Sequence, residues 1–166
     1  MLGLRRGTVK LVKSNYKEWA RLFEKEKKLL TTTFGNRIIA IEHIGSTSIP
    51  KLISKPIIDM NVIVKSLPTA RAMKSAFVKL GYTHRPRPGL QWQMLYVKGP
   101  NEKRTHYAHV IPIRSKRWKD DLVFRDYLRT HIGARNRYAK LKRKLAKLYS
   151  NDRTTYTTKK GGFILN

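Results

Sequence analysis

Residues 41–64 read IEHIGSTSIPKLISKPIIDMNVIV and decide the fold. Two apolar runs rich in β-branched residues flank a turn of small residues, and short runs of this kind bounded by Gly and Pro predict buried strands. We therefore predict strands over 37–44 and 57–64. The second strand contains a lone carboxylate, Asp59, which needs a partner because burying an unpaired charge is unfavourable.

Side chains alternate between the two faces of a strand, so the second run divides into two sets. Asp59 and Asn61 share one face, together with the apolar residues Ile57 and Ile63. The other face is wholly apolar and is predicted to be core: Ile58, Met60, Val62 and Val64. On the first strand Glu42 is predicted to face the same way as Ile38 and Ala40, which makes it a second carboxylate in an apolar run. A purely structural ion pair is the alternative role for Asp59.

The rest of the chain predicts alternating strands and helices. The pattern indicates strands over 8–13, 90–98 and 104–113, and helices over 15–32, 66–80, 115–130, 133–149 and from 152 onward. Asn15 and Glu18 have the spacing of a capping box at the start of the first helix. We expect an α+β fold in one domain over 1–166, with a small mixed β-sheet flanked by helices and a helical C-terminal part over about 115–166.

Charge and composition exclude several classes of protein. The chain has 37 Lys and Arg against 10 Asp and Glu, a formal net charge of +27, and the excess is spread along its whole length. This favours a polyanionic partner such as RNA, although a generally basic surface is the alternative. The chain has no Cys, so disulfides and thiolate chemistry are excluded. No apolar run is long enough to span a membrane, and we expect a cytoplasmic protein.

The turn between the two central strands is a candidate phosphate site. Main-chain N–H groups of a tight turn can form an anion-binding concavity. Here the candidates are Gly45, with hydroxyl donors from Ser46, Thr47 and Ser48. Lys55 is predicted either to reach a phosphate or to pair with a nearby carboxylate. Arg104, at the start of a later strand, is a further candidate for binding phosphate.

Beside this turn, carboxylates and histidines make a candidate metal site. Glu42 and Asp59 could hold a divalent cation that offsets phosphate charge. His43, His106 and His109 are candidates for the same pocket, because a neutral imidazole can bind metal or transfer a proton. Their spacing puts His106 and His109 on opposite faces of a regular strand, so only a β-bulge would let both point inward.

Several segments together resemble one known family. IEHIGSTSIP, KPIIDMNVIV, THYAHV and FRDYLRTH, with the C-terminal YAKLKRKLA and the pattern Tyr156, Lys160, Phe163 and Ile164, are similar to the GrpB (UPF0157) family. That family belongs to the nucleotidyltransferase-fold superfamily. The resemblance implies a Gly-Ser turn, at Gly45 and Ser46, that holds a nucleoside triphosphate. It also implies an acidic residue, Asp59, that holds Mg²⁺ or Mn²⁺.

One position departs from the superfamily pattern and leaves two functions open. Asn61 stands where the superfamily has a second acid, and an amide is a weaker ligand for Mg²⁺ than a carboxylate. The first hypothesis is a divalent-metal-dependent nucleotidyltransferase acting on a nucleotide, nucleic-acid or protein acceptor, with Asp59, Glu42 and His109 as catalytic residues. The alternative is a module that binds nucleotide or RNA without turnover.

Overall fold

A computed structural model describes residues 1–86, 89 and 91–165 of the chain. Residues 87, 88 and 90, which fall in or beside the predicted basic loop at 84–89, lie outside this description, as does residue 166.

The described strands form one mixed sheet. They are β1 (Ile38–Ile44), β2 (Ile58–Val64), β3 (Tyr82–His84), β4 (Met94–Lys98) and β5 (His106–Pro112), in the spatial order β1-β2-β5-β4-β3. β2 and β5 run parallel, and the other neighbouring pairs run antiparallel. The predicted α+β fold with a small mixed sheet is therefore confirmed.

Six α-helices are found among the described residues. They are α1 (Tyr16–Phe34), α2 (Leu67–Ala72), α3 (Lys74–Lys79), α4 (Arg117–Thr130), α5 (Ile132–Leu148) and α6 (Arg153–Leu165). Apolar residues of α1, α2 and α3 pack on one face of the sheet, which we call the core face. The α4–α6 group lies at the opposite face, which we call the cleft face.

The core face is apolar for the reason that the sequence predicts. Ile58, Met60, Val62 and Val64 are all buried in its main cluster. Aromatic rings fill the centre, where Phe77 stacks on Tyr96 with ring centroids 4.2 Å apart.

Several local predictions are wrong, and the helix predicted over 66–80 is divided into α2 and α3. Residues 8–13 do not form a strand: Val12 makes an isolated bridge to Ser54, while Val9 packs against Leu145 and Tyr156. β3 was not predicted, since three residues are too few to show a periodic pattern. A register shift between Ile38 and Ala40 turns Ile38 toward the core instead of the side of Glu42.

The sequence predicts where α1 begins more accurately than it predicts the hydrogen bonds that cap it. α1 begins directly after Asn15, but the Asn15 side chain makes no capping hydrogen bond, so the predicted capping box is not formed. Ser66 does cap α2, because its hydroxyl accepts a hydrogen bond from the Thr69 N–H. None of the described helices is both long and apolar enough to cross a membrane.

Candidate functional site

A cleft of about 200 Å³ opens on the cleft face, where the turn after β1 meets β2, β5 and the helices α4–α6. Six of the candidate site residues line it: Gly45, Ser46, Thr47, Lys55, Asp59 and His109. The structure therefore brings together both parts of the predicted site, the turn and the strand residues.

The turn is shaped by one glycine. Gly45 has a φ of +68°, a conformation that glycine adopts readily and other residues rarely do. A Cβ built there would lie 3.0 Å from Asp59 Oδ2, so the turn packs directly against the aspartate. Ser46 to Ser48 then form a single 3-10 turn, whose first N–H groups lack partners within the turn itself.

Two of the predicted hydroxyl donors have structural roles instead. The Thr47 hydroxyl donates to the Ile57 carbonyl and lies 3.0 Å from His43 Nε2. The Ser48 hydroxyl donates to the Gly45 carbonyl at 2.6 Å. Both side chains are buried, so these hydroxyls brace the turn and are not presented to a phosphate.

Asp59 and His109 face each other across neighbouring strands. His109 Nε2 lies 4.0 Å from Asp59 Oδ1, and its Nδ1 lies 3.2 Å from Gln93 Oε1. Asp59 keeps 30% of its side chain exposed, and a ligand in the cleft can therefore reach it.

Glu42 is not part of this group, contrary to the prediction. Arg125 of α4 donates a hydrogen bond to Glu42 Oε2 at 3.0 Å and another to the His43 carbonyl. Glu42 aligns with Asn61 in the strand register, but it is not among the described residues that line the cleft. An arginine therefore satisfies the second predicted acid and ties α4 to β1.

His43 and His106 lie on the other side of the sheet. β5 has no bulge in its pairing with β2, so His106 aligns with Ile58 and His109 with Asn61. His43 stacks on Phe23 with ring centroids 4.7 Å apart. Burial lowers the pKa of His43 to about 3 and that of His106 to about 4, so both are neutral core residues. The assignment of His106 to the metal site is thus corrected.

Arg104 is also remote from the cleft. Its Nη2 donates to Asn101 Oδ1 at 2.6 Å, and its main chain pairs with Leu4. It closes the connection between β4 and β5, so its predicted role as a phosphate ligand is not supported.

The helical C-terminal part supplies residues that sequence reasoning missed. Asp121 of α4 lines the cleft and accepts a hydrogen bond from Asn61 Nδ2 at 3.0 Å. Arg117, one turn earlier, lies 3.2 Å from the same carboxylate. The resemblance places Asn61 at an acidic position, and in this chain Asn61 instead donates a hydrogen bond to an acid of α4, Asp121.

Two cations of α6 complete the lining. Arg153 packs its guanidinium 4.9 Å from the centre of the Tyr107 ring, and its Nη1 has no hydrogen-bond partner among the described residues. Lys160 lies 5.9 Å from the centre of the Tyr156 ring. With Lys55 and Arg117, four cations surround two carboxylates, so the cleft favours an anion.

A further lysine lies behind the turn. Lys142 of α5 is only 1% exposed, and its Nζ is 2.6 Å from Ser46 Oγ and 2.5 Å from the Ile53 carbonyl oxygen. Burial lowers its pKa well below 10.5, and the nearby Lys160 and Lys55 lower it further, against the opposing effect of Asp59. The sequence contains a signal for the burial of Lys142, because it has helical spacing with the apolar residues Tyr138 and Leu145. In the structure all three side chains are buried.

The donor set does not form a protein-only metal centre. Within the described part of the chain, no group of three or more His, Asp or Glu residues is arranged to hold a metal ion. Asp59 and Asp121 are the two carboxylates of the cleft. Mg²⁺ is commonly bound by one or two carboxylates together with substrate phosphates, so this donor set fits an ion that arrives with a polyphosphate.

Comparison with solved structures places the fold in a known class. The poly(U) polymerase Cid1, solved with MgGTP bound, matches with a TM-score of 0.56 at 14% identity, over 81% of this chain and 44% of that chain. This likeness concerns the fold alone, and it shows that the chain has a nucleotidyltransferase-like fold.

More specific matches identify the family. The profile of the family described as GrpB protein matches residues 8–166, and the chain belongs to the GrpB family. The crystal structure of GrpB from Enterococcus faecalis matches with a TM-score of 0.81 at 28% identity, over 94% of this chain and 98% of that chain.

Curated relatives agree with this assignment. The glutamate-rich protein GrpB of Alkalihalophilus pseudofirmus is 36% identical over 99% of this chain and 96% of its own length. The UPF0157 protein YqkA of Bacillus subtilis is 39% identical over 89% of this chain. The match covers only 43% of YqkA, so the chain spans less than half the length of that relative.

Proposed function

We propose that the cleft binds the polyphosphate of a nucleotide, with phosphate oxygens at the Gly45–Ser46 turn. The observation that carries this proposal is the set of four cations, from a loop and two helices, that converges on a glycine turn. A triphosphate carries the opposite charge, and its oxygens form strong charge-assisted hydrogen bonds with Lys and Arg.

Binding with and without metal tests this proposal. ATP, GTP and inorganic triphosphate are titrated into the protein in the presence of EDTA and then of Mg²⁺. Lys160→Met should weaken binding by about tenfold or more, since a hydrogen bond to a charged group contributes about 1.5–3 kcal/mol. The matched control is Lys159→Met, because Lys159 is the exposed neighbour on α6 and does not line the cleft.

The control separates a specific site from attraction to a basic surface. Both variants lose one charge from a chain of net charge +27, so non-specific binding should weaken equally in both. Equal affinity of the two variants, or absence of binding to the native protein, would refute the proposal.

RNA is the competing polyanion for this surface. The logarithm of the affinity for RNA should fall linearly with the logarithm of the salt concentration, because phosphate contacts release counterions. If RNA binds and its affinity does not respond to Lys160→Met, the cleft is not its site.

Metal-dependent nucleotidyl transfer to a nucleotide, nucleic-acid or protein acceptor is the second candidate. The position of Asp59 directly against the turn favours it, with Asp121 in the same cleft. The likeness in fold to a polymerase solved with MgGTP bound is a reason to test it. Asp59 and Asp121 would hold Mg²⁺ or Mn²⁺, which would supply charge neutralisation at the phosphates.

Asp59→Asn distinguishes the two candidates. Binding in EDTA should stay the same or tighten, because a negative charge leaves an anion site. Turnover, measured as pyrophosphate release with Mg²⁺ or Mn²⁺, should disappear if the carboxylate holds the ion. Native protein that binds nucleotide and releases no pyrophosphate with any acceptor is a binding module.

A further inference from the structure

The side chains of Ser46 and Lys142 form a polar contact. Binding of a nucleotide in the cleft does not require this contact. Their side-chain atoms, Oγ and Nζ, are 2.6 Å apart, and Ser46 lines the cleft while Lys142 lies behind it. The Ile53 carbonyl accepts a hydrogen bond from the same Nζ and so fixes its orientation. A nucleophile within hydrogen-bond reach of a base that a third group orients is the arrangement of covalent catalysis.

The surroundings of Lys142 favour a neutral amine. Among the described residues it forms no ion pair, and it is fully enclosed by α5, the loop before β2 and the 3-10 turn. The ring of Tyr138, one turn earlier on α5, lies 5.5 Å from its Nζ. The charged groups that face it are Lys160 of α6, Lys55 of the loop and Asp59 of β2. Two of these three are cations, and buried lysines of this kind serve as general bases.

We propose that Ser46 and Lys142 form a nucleophile–base pair, and that Ser46 accepts a phosphorus group from the polyphosphate in the cleft. This inference rests on the proposed function, since it needs the nucleotide to bind beside Ser46. It adds a covalent self-modification that nucleotide binding alone does not imply.

The step balances without any further reactant. The neutral Lys142 amine takes the proton of the Ser46 hydroxyl while Oγ forms a bond to phosphorus. The bridging P–O bond breaks, and the leaving phosphate takes its electron pair. Lys55 and Lys160, which line the cleft, are placed to neutralise the charge of that leaving group. Attack at the α-phosphorus releases pyrophosphate and leaves a nucleotidyl-serine. Attack at the γ-phosphorus releases a nucleoside diphosphate and leaves a phosphoserine.

Radiolabelled ATP and GTP test the inference on the full chain. Protein is first treated with phosphatase and phosphodiesterase, which are then removed. It is incubated with α-labelled or γ-labelled nucleotide, and the modified peptide is located by mass spectrometry. We expect label on Ser46 from one of the two labels, which then identifies the phosphorus attacked. Ser46→Ala should carry none, and Ser75→Ala, at an exposed serine of α3, should label as the native protein does.

The base is tested by Lys142→Met, with Lys144→Met at an exposed position of the same helix as its control. Loss of a general base should slow labelling by about 100-fold or more. In the native protein the rate should rise with pH as Lys142 loses its proton, and this rise should vanish in Lys142→Met. Should that variant fail to fold, an NMR titration of the native Lys142 amine decides whether it is neutral at the pH of labelling.

Each outcome bears on one proposal or on both. Nucleotide binding without label on Ser46 refutes the inference and leaves the proposed function standing. Label at Ser46 that is equally fast in Lys142→Met, or a Lys142 amine that is protonated throughout, refutes the role of Lys142. Failure of the nucleotide to bind refutes both.

Discussion

Glu26 on the core face and the charged groups at the cleft differ in how completely they are paired. On the core face, Glu26 accepts hydrogen bonds from the Tyr82 hydroxyl at 2.8 Å and from Lys98 Nζ at 2.7 Å. At the cleft, Asp59 lies 4.0 Å from His109, and Lys142 contacts a hydroxyl and a carbonyl and forms no ion pair with the described residues.

This difference separates stability from function. Charges that satisfy one another hold elements together, and Glu26 joins α1 to β3 and β4 in this way. Charges whose partners are incomplete leave capacity for a ligand, at some expense of stability. The core face should therefore dominate unfolding, and the cleft face should dominate binding.

The largest effect should come from the centre of the core face. Phe77 is fully buried and contacts the rings of Phe34, Tyr82 and Tyr96. Phe77→Ala should lower the free energy of unfolding by about 3–5 kcal/mol, because it removes buried contacts and leaves a cavity. Urea unfolding measures this, and Val78→Ala at the exposed neighbour should change it little. Similar losses in the two variants would contradict the assignment of the core.

Acid should destabilise the core face through its two buried histidines. His43 and His106 have folded pKa values of about 3 and about 4, below the ordinary 6.5. Below pH 6.5 the unfolded chain therefore binds more protons, and stability falls as the pH falls. Each histidine should account for about 2 kcal/mol between pH 6.5 and pH 5. The urea unfolding midpoints of His43→Gln and His106→Gln should each depend less on pH in this range. A dependence equal to that of the native protein would show that the histidine is not buried in its neutral form.

Gly45→Ala probes the contact between the turn and Asp59. The substitution places a Cβ at positive φ and 3.0 Å from Asp59 Oδ2, so it should destabilise the protein by about 1–3 kcal/mol and weaken nucleotide binding. Gly35→Ala is the matched control, since Gly35 also has positive φ but a Cβ there meets nothing within 4 Å. Nucleotide affinity should fall in the first variant only, and a parallel fall in both would mean that strain alone is responsible.

The smallest effect on stability should come from Lys142→Met. Because burial lowers the folded pKa of Lys142 well below 10.5, the unfolded chain binds more protons between the folded and the unfolded pKa, and stability should rise as the pH approaches 10.5. The contribution of one proton is at most about 1.4 kcal/mol per pH unit. Lys142→Met should be as stable as the native protein or more so at pH 7, and should lack this rise. A large loss of stability at pH 7 would show that Lys142 is a structural anchor.

Agreement with the sequence was best where local pattern and burial coincide. β2 and its core face follow from a short apolar run whose side chains point alternately to the two faces, and the predicted start of β1 differs from the observed one by one residue. Asp59 lies beside Gly45 and Ser46, as the sequence predicts, because β1 and β2 are neighbours and Ile44 aligns with Asp59. The sequence also predicts that His106 and His109 lie on opposite faces of a regular strand, so that only one of them can face the cleft. In the structure this residue is His109.

Partners from distant segments could not be predicted in this way. Glu42 and Asp59 look alike in the sequence, yet Arg125, 83 residues further along the chain, satisfies one and not the other. Asp121 and Ser46 likewise meet Asn61 and Lys142 across separations of 60 and 96 residues. No periodicity in a single chain encodes which helix residue docks on which strand residue.

The amino-acid pattern by itself determined a mixed sheet, a glycine turn and a carboxylate on the face of β2 opposite the core, because strand alternation and the conformational freedom of glycine are local properties. Only the tertiary structure decided that Glu42 is a structural acid, that the cations of α4 and α6 line the cleft, and that Lys142 is buried beside Ser46. The reason is physical: the charge state and role of a side chain depend on its solvent exposure and its neighbours, and both are set when distant segments pack together.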